Sequence, residues 1–231
     1  MRICGLNKTT LLDYPGKVAA TVFLGGCNFR CPFCQNGGLV LHPEQQPEFS
    51  RQEVLNFLKK RSGILEGVCI TGGEPTISSG LPLFLREIRE TGLCIKLDTN
   101  GSRPDAIRAL IKEHLVDKIA MDIKAAPDNY PTLCGLSHPD LENIRESVSL
   151  LMNGDIDYEF RTTVVRELHS EKDFISIKKW LSGAKAFYLQ AYRESTDVLQ
   201  PGFSSYSLKE LEHFRDILRE TISLVEIRGI D

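Results

Sequence analysis

Residues 23–37 read FLGGCNFRCPFCQNG, three cysteines in eight residues directly after an apolar, β-branched run over 18–24. The run predicts a strand, and Gly25 and Gly26 free the backbone to turn sharply where it ends. Thiolates are soft, anionic ligands that stabilise iron in both its ferric and ferrous states. Gaps of three and then two residues between Cys27, Cys31 and Cys34 let one loop wrap a corner of a four-iron cube. One iron is then left without a protein ligand, and an open coordination position is where a metal meets its substrate. A structural zinc site is the competing reading. It asks for four ligands, and no Cys or His follows at zinc-finger spacing. His42, the nearest histidine, lies in a proline-rich stretch beyond the loop.

Working outward from the loop, short apolar runs alternate with amphipathic stretches. Strands are predicted over 18–24, 67–71, 93–98, 118–123, 157–165 and 186–190, with a seventh short run, LVEIR, over 224–228. Ser50 with Glu53, Ser102 with Asp105, Ser170 with Asp173 and Ser207 with Glu210 have the spacing of capping boxes at helix starts. Gly63, Gly92, Gly154 and Gly183 stand where helices would end in a positive-φ residue. Strand followed by helix, repeated, means an α/β fold with a mainly parallel sheet. Six clear units are too few for a closed eight-unit barrel of roughly 250 residues, which leaves a partial barrel or an open sheet. In both, the functional face is at the C-terminal ends of the strands. No linker or sequence repeat interrupts 1–231, so a single domain is expected, with 1–17 as a small strand or hairpin against the first unit.

The totals exclude other classes. The net charge of −3 gives no basic surface for nucleic acid and no polybasic membrane patch. No apolar run approaches the roughly 20 residues of a membrane helix, and the N-terminal stretch lacks a signal-peptide core. A cytoplasmic location is expected. An odd count of seven cysteines argues against a disulfide framework there.

CNFRCPFC resembles the CxxxCxΦC motif of the radical S-adenosylmethionine (SAM) superfamily, with Phe33 in the aromatic position. The resemblance implies a [4Fe–4S] cluster on Cys27, Cys31 and Cys34, with SAM chelating the remaining iron through its amino and carboxylate groups. It also implies reductive cleavage of SAM to a 5′-deoxyadenosyl radical and a partial (β/α)6 barrel. The second strand ends in CITGGEPTI, where Gly72 and Gly73 permit close backbone approach and Glu74 offers an anion to an ammonium group. This is similar to the superfamily's GGE motif, which binds the methionine amino group.

The third strand ends in LDTNGS and the fourth in AMDIKA. Alternation puts Cys94, Lys96 and Asp98 on one face, and Ala120, Asp122 and Lys124 on one face. Asp98 and Asp122 near a bound carboxylate need a countercharge. Lys124 is one candidate, and a monovalent cation held by Asp98, Thr99 and Asp122 is another. In YEFRTTVV, Glu159, Arg161 and Thr163 share a face, so Arg161 either meets a cofactor carboxylate or pairs with Glu159 or an aspartate. After the sixth strand, Gln190 or Tyr192 is placed to contact adenine or ribose, at a position where comparable activating enzymes often carry histidine. Cys134 lies in a loop on the active face; Cys69 and Cys94 read as small buried hydrophobes.

The similarity extends through LNKTTLLDYPGKVAATVFLGGCNFRCPFCQN, TGGEPT, LDTNGS, AMDIKA and FRTTVV, which cover most of residues 5–192. It is with the activating enzymes of glycyl radical enzymes, nearest to the activating protein of anaerobic ribonucleoside-triphosphate reductase. Gln35 departs from the histidine that relatives often carry after the third cysteine. The resemblance implies hydrogen abstraction from a glycine Cα of a partner glycyl radical enzyme, with flavodoxin or ferredoxin as electron donor. Two alternatives stay open: a radical enzyme acting on a small molecule, similar to carboxydeazaguanine synthase, and a non-catalytic iron–sulfur electron carrier. GGEPT argues against the carrier, which has no use for an ammonium-binding turn.

Overall fold

Two extended segments open the chain: β1 (Ile3–Thr10) and β2 (Ala19–Leu24), antiparallel from Ile3 opposite Leu24 to Thr10 opposite Ala19. The computed structural model describes residues 1–230. Its contacts divide into two units that interleave along the chain, one holding 1–28, 36–99 and 103–120, the other 29–35, 100–102 and 121–230.

In the first unit, the turn between β1 and β2 is fixed by its own polar groups. The Thr10 hydroxyl accepts the N–H groups of Leu12 (3.1 Å) and Asp13 (3.2 Å), and Asp13 accepts the Thr21 hydroxyl. The chain continues through α1 (Gly37–Leu41), α2 (Arg51–Arg61), β3 (Gly67–Gly72), α3 (Leu81–Arg89), β4 (Cys94–Thr99) and α4 (Pro104–Lys112). β2 and β3 pair in parallel from Ala19 opposite Gly67 to Leu24 opposite Gly72, and β3 and β4 from Gly67 opposite Cys94 to Ile70 opposite Leu97. Val22, Leu24, Val68, Ile70, Ile95 and Leu97 are completely buried. Near-continuous apolar runs of this kind mark parallel strands covered on both faces.

β5 (Lys118–Asp122) gives its first three residues to the first unit and its last two to the second. The second unit then carries α5 (Tyr130–Cys134), α6 (Leu141–Asn153), β6 (Asp157–Val164), α7 (Glu171–Trp180), β7 (Ala186–Ala191), α8 (Leu208–Arg219) and β8 (Leu224–Arg228). β6 and β7 pair in parallel from Phe160 opposite Phe187 to Val164 opposite Ala191, and β7 and β8 from Ala186 opposite Leu224 to Gln190 opposite Arg228. α7 packs on α8 through the stacked rings of Phe174 and Phe214, 4.3 Å between centroids.

This is the expected α/β fold with mainly parallel strands. All seven predicted strands begin and end within one residue of their observed limits, and residues 1–17 supply the eight-residue β1. Capping boxes form at Ser50, Ser170 and Ser207. The capping box expected at Ser102 does not form: Pro104 begins the helix, Arg103 takes the cap position, and the Asp105 carboxylate goes to the Arg103 guanidinium. Gly92 and Gly183 have the expected positive φ, whereas Gly154 is extended at φ −94° and Gly63 is not among the positive-φ glycines. Among the described residues no helix is long and apolar enough to cross a membrane.

Candidate functional site

In the first unit the Gly72–Glu74 turn is built onto the backbone that leads into Cys27. The Gly73 N–H donates to the Leu24 carbonyl and the Glu74 N–H to the Gly26 carbonyl, each at 2.8 Å. Gly72 has φ +115°, and a Cβ there would stand 2.4 Å from the Leu24 carbonyl oxygen; at Gly73 it would stand 1.9 Å from that of Gly26. Both positions therefore require glycine. Gly26 turns at φ +90° and donates its N–H to Leu39, and the Asn36 side-chain amide donates to the Gly72 carbonyl at 3.0 Å.

The Glu74 carboxylate is 1% exposed. Its Oε1 accepts the Thr76 N–H at 3.1 Å, the Thr76 hydroxyl at 2.5 Å and the Thr99 hydroxyl at 2.8 Å. On the same strand as Thr99, the buried Lys96 ammonium lies 2.5 Å from Asp98 and 3.8 Å from the Cys69 sulfur. The alternation that placed Lys96 and Asp98 on one face is thus visible as an ion pair.

In the second unit, residues 29–35 are held from two directions. Arg30 donates its N–H to the Cys134 carbonyl at 2.8 Å, and Gly135, at φ +67°, lies so close that a Cβ would stand 2.0 Å from the Arg30 carbonyl oxygen. Leu199 donates to the Cys34 carbonyl at 3.1 Å and Gln200 to that of Pro32 at 2.9 Å. The Gln35 side-chain amide reaches the Arg193 carbonyl. A Cys34-to-Cys31 backbone bond of 3.0 Å closes the turn between those two cysteines.

Charge in this unit centres on Asp122. Lys124 Nζ and Arg161 each approach its carboxylate at 2.9 Å, so Arg161 has an aspartate as partner and Glu159 pairs with Arg228 at 2.9 Å. Burial disfavours the Lys124 ammonium, but the Asp122 carboxylate and the Cys31 and Cys34 sulfurs outweigh it and hold the pKa above its usual value. A cation in the field of two cysteine sulfurs suits an anionic metal-ligand set. Lys124 is also fixed through its main chain: its N–H meets the Tyr130 hydroxyl at 3.3 Å and its carbonyl the His169 Nε2 at 3.0 Å.

His169 is absent from the sequence-derived candidates. The Val165 N–H donates to its Nδ1 at 3.1 Å, which leaves Nε2 as the N–H directed at Lys124. Burial lowers its pKa, so the ring is neutral. It packs against Phe33 in a T-shaped arrangement with 6.2 Å between centroids. Tyr192 is buried and gives its hydroxyl to Glu194 at 2.5 Å; burial, then Glu194, push its pKa up to about 12. The Cys134 thiol is buried over the Pro131 carbonyl, and burial raises its pKa, which makes it a poor nucleophile.

None of the seven cysteines is in a disulfide; Cys31 is buried and Cys27 and Cys34 are half-buried. Among the described residues no three Cys, His, Asp or Glu side chains form a single-ion metal site. The donor chemistry fits a cluster of irons: three sulfurs from one eight-residue stretch, with a lysine ammonium in the electrostatic field of two of them. Each aspartate expected around a monovalent cation has a protein cation next to it, Lys96 for Asp98 and Lys124 with Arg161 for Asp122.

Residues 21–181 match the sequence model of the Radical SAM superfamily. A Methanocaldococcus jannaschii protein, provisionally assigned as a glycyl-radical enzyme activating enzyme, is 30% identical over 99% of this chain and 96% of its own length. A 7-carboxy-7-deazaguanine synthase of Thermoplasma acidophilum is 24% identical over 72% of this chain and 76% of its own. Among solved structures, Streptococcus suis SuiB bound to S-adenosylmethionine superposes with a TM-score of 0.68 at 16% identity over 90% of this chain. The chain spans about half of SuiB, 52% of its length, and at that identity the likeness is one of fold.

Proposed function

This chain belongs to the radical S-adenosylmethionine superfamily, and we propose that it is the activating enzyme of a glycyl radical enzyme. Cys27, Cys31 and Cys34 would hold the [4Fe–4S] cluster, and the Gly72–Glu74 turn would receive the SAM ammonium. When bound, the cluster and SAM supply a one-electron reductive cleavage, the source of the 5′-deoxyadenosyl radical that takes hydrogen from a glycine Cα. The observation that carries this reading is the 2.8 Å bond from Glu74 N–H to the Gly26 carbonyl. It ties an ammonium-binding turn to the residue before the first cysteine, an arrangement with no purpose in a simple electron carrier.

The chain's own residues supply recognition and charge. Lys124 and Arg161 each hold Asp122 at 2.9 Å, and their cationic heads are the groups we propose to receive the SAM carboxylate. Phe33 packs the cysteine loop against His169. Likeness over nearly the whole chain to a protein assigned as an activating enzyme favours a glycyl radical partner. The partner we propose is anaerobic ribonucleoside-triphosphate reductase, with flavodoxin or ferredoxin as reductant. A second reading, ring formation on a small molecule, is favoured by the likeness to carboxydeazaguanine synthase over about three-quarters of both chains, 72% and 76%.

The test is anaerobic. The cluster is reconstituted and reduced with dithionite, SAM is added, and 5′-deoxyadenosine is quantified beside a Cys31→Ala control. Product from the wild type alone is expected, followed by a glycyl radical signal in electron paramagnetic resonance when the reductase is added. Product without a glycyl radical on the reductase shifts the assignment to the small-molecule reading. A loaded cluster that neither binds nor cleaves SAM overturns the proposal.

A further inference from the structure

We infer that Thr99 is a positioning residue, whose hydroxyl aims the buried Glu74 carboxylate at the ammonium group of the bound nucleotide. The inference rests on the SAM function proposed above and assigns Thr99 a different task from the cation ligation that its sequence context suggested.

Two layers of contact surround Glu74. The local layer belongs to any acidic residue that precedes a short turn: Glu74 caps the 3-10 turn Pro75–Ile77, accepting the Thr76 N–H at 3.1 Å and the Thr76 hydroxyl at 2.5 Å. Those two donors complete the cap. The third donor is not local. Thr99 ends β4, 25 residues further along the chain, and its hydroxyl reaches the same oxygen, Oε1, at 2.8 Å. Thr99 is 2% exposed and Glu74 1%, so water has little part in the contact.

Three donors on one oxygen do more than a cap needs. They fix the plane of the carboxylate as well as its position, and they favour its ionised form against the cost of burial. The main chain of Glu74 is fixed independently through its N–H on the Gly26 carbonyl at 2.8 Å. Held at both ends, the carboxylate is a preorganised anion next to the start of the cysteine loop. A compact ammonium group is the ligand chemistry it matches, because a charge-assisted bond to a fixed partner requires no reordering on binding.

The experiment measures SAM binding to the iron-loaded, unreduced protein under anaerobic conditions, so that no turnover intervenes. Wild type, Thr99→Val and Thr99→Ser are compared at equal iron content. 5′-Methylthioadenosine, which keeps the adenosyl group and lacks the ammonium, is the control ligand. Thr99→Val is expected to weaken SAM about tenfold, equal to about 1.4 kcal/mol, while Thr99→Ser stays within about twofold because it keeps the donor. Methylthioadenosine affinity is expected to be the same in all three. Unchanged SAM affinity in Thr99→Val, or equal weakening of both ligands, overturns the inference. Should Thr99→Val not fold, Thr99→Ala is read by the same criteria; failure of both assigns Thr99 to the fold and overturns it as well. Wild-type protein that binds no SAM instead overturns the proposed function, a result distinguishable from a defect confined to the variant.

Discussion

Gly73 approaches Gly26 so closely that a methyl group on its Cα would stand 1.9 Å from the Gly26 carbonyl oxygen. The contact is backbone on backbone, so no rotamer change relieves it. Gly73→Ala is expected to lower stability by about 3 kcal/mol through overpacking and to reduce iron incorporation, because the strand end leading into Cys27 must shift. Urea unfolding with iron and sulfide analysis checks both. A variant with full iron content and wild-type stability would show that the turn and the loop are not coupled.

Lys124 lies in the field of Cys31 and Cys34. Removing its charge while keeping its bulk, as in Lys124→Met, leaves a reduced cluster with less compensating positive charge. The midpoint potential is expected to become more negative by on the order of 60 mV, a tenfold change for a one-electron couple. A redox titration followed by electron paramagnetic resonance reads it. A shift in the opposite direction would remove Lys124 from the electrostatics of the cysteine loop.

His169 is buried neutral, with a folded pKa lowered by desolvation. Its contribution to stability is therefore complete above the unfolded-state value of about 6.5. It declines as pH falls below that value, by up to about 1.4 kcal/mol per pH unit. His169→Asn should flatten this part of the stability profile between about pH 7 and about pH 5. Urea midpoints across that range, at constant iron content, test the slope.

Glu210 shows the same sign with a different cause. The Arg166 guanidinium, and then Ser207, hold its carboxyl down to about 2, in a fork with donor distances of 2.9 and 2.6 Å. The stabilisation is present above the unfolded carboxyl value of about 4.3 and is lost as pH falls toward 2. Arg166→Gln should be less stable than wild type near neutrality, and the difference should vanish in acid. A difference that persists at low pH would point to packing of Arg166 over the Tyr206 ring, 4.4 Å to the centroid.

Strand positions were legible because β-branched and apolar runs end at polar or glycine residues, as in VAATVFLGG and GVCITGG. The cysteine loop was legible because ligand spacing is a local property. The choice of partner for Arg161 was not: alternation gave its face, but pairing with Asp122 rather than Glu159 depends on which strands are neighbours. The Thr99–Glu74 bond is hidden for the same reason, since 25 residues separate the two. His169 carries no pattern at all in VVRELHSEKD; only its burial between Phe33 and Lys124 marks it. Ser102 shows the reverse failure, a correct spacing cancelled by Pro104 at the first helical position.

The bonds from Leu199 and Gln200 to the carbonyls of Cys34 and Pro32 have a consequence for biosynthesis. A ribosome adding about 5–20 residues per second needs roughly 10–30 s to travel from Cys34 to Leu199. Throughout that interval the nascent chain presents three thiols whose final support has not yet been translated. A cluster inserted after release of the chain would meet the finished loop, and one inserted earlier a loop without those two bonds. The late strap, rather than the early cysteines, is the last part of the loop's backbone support to be made.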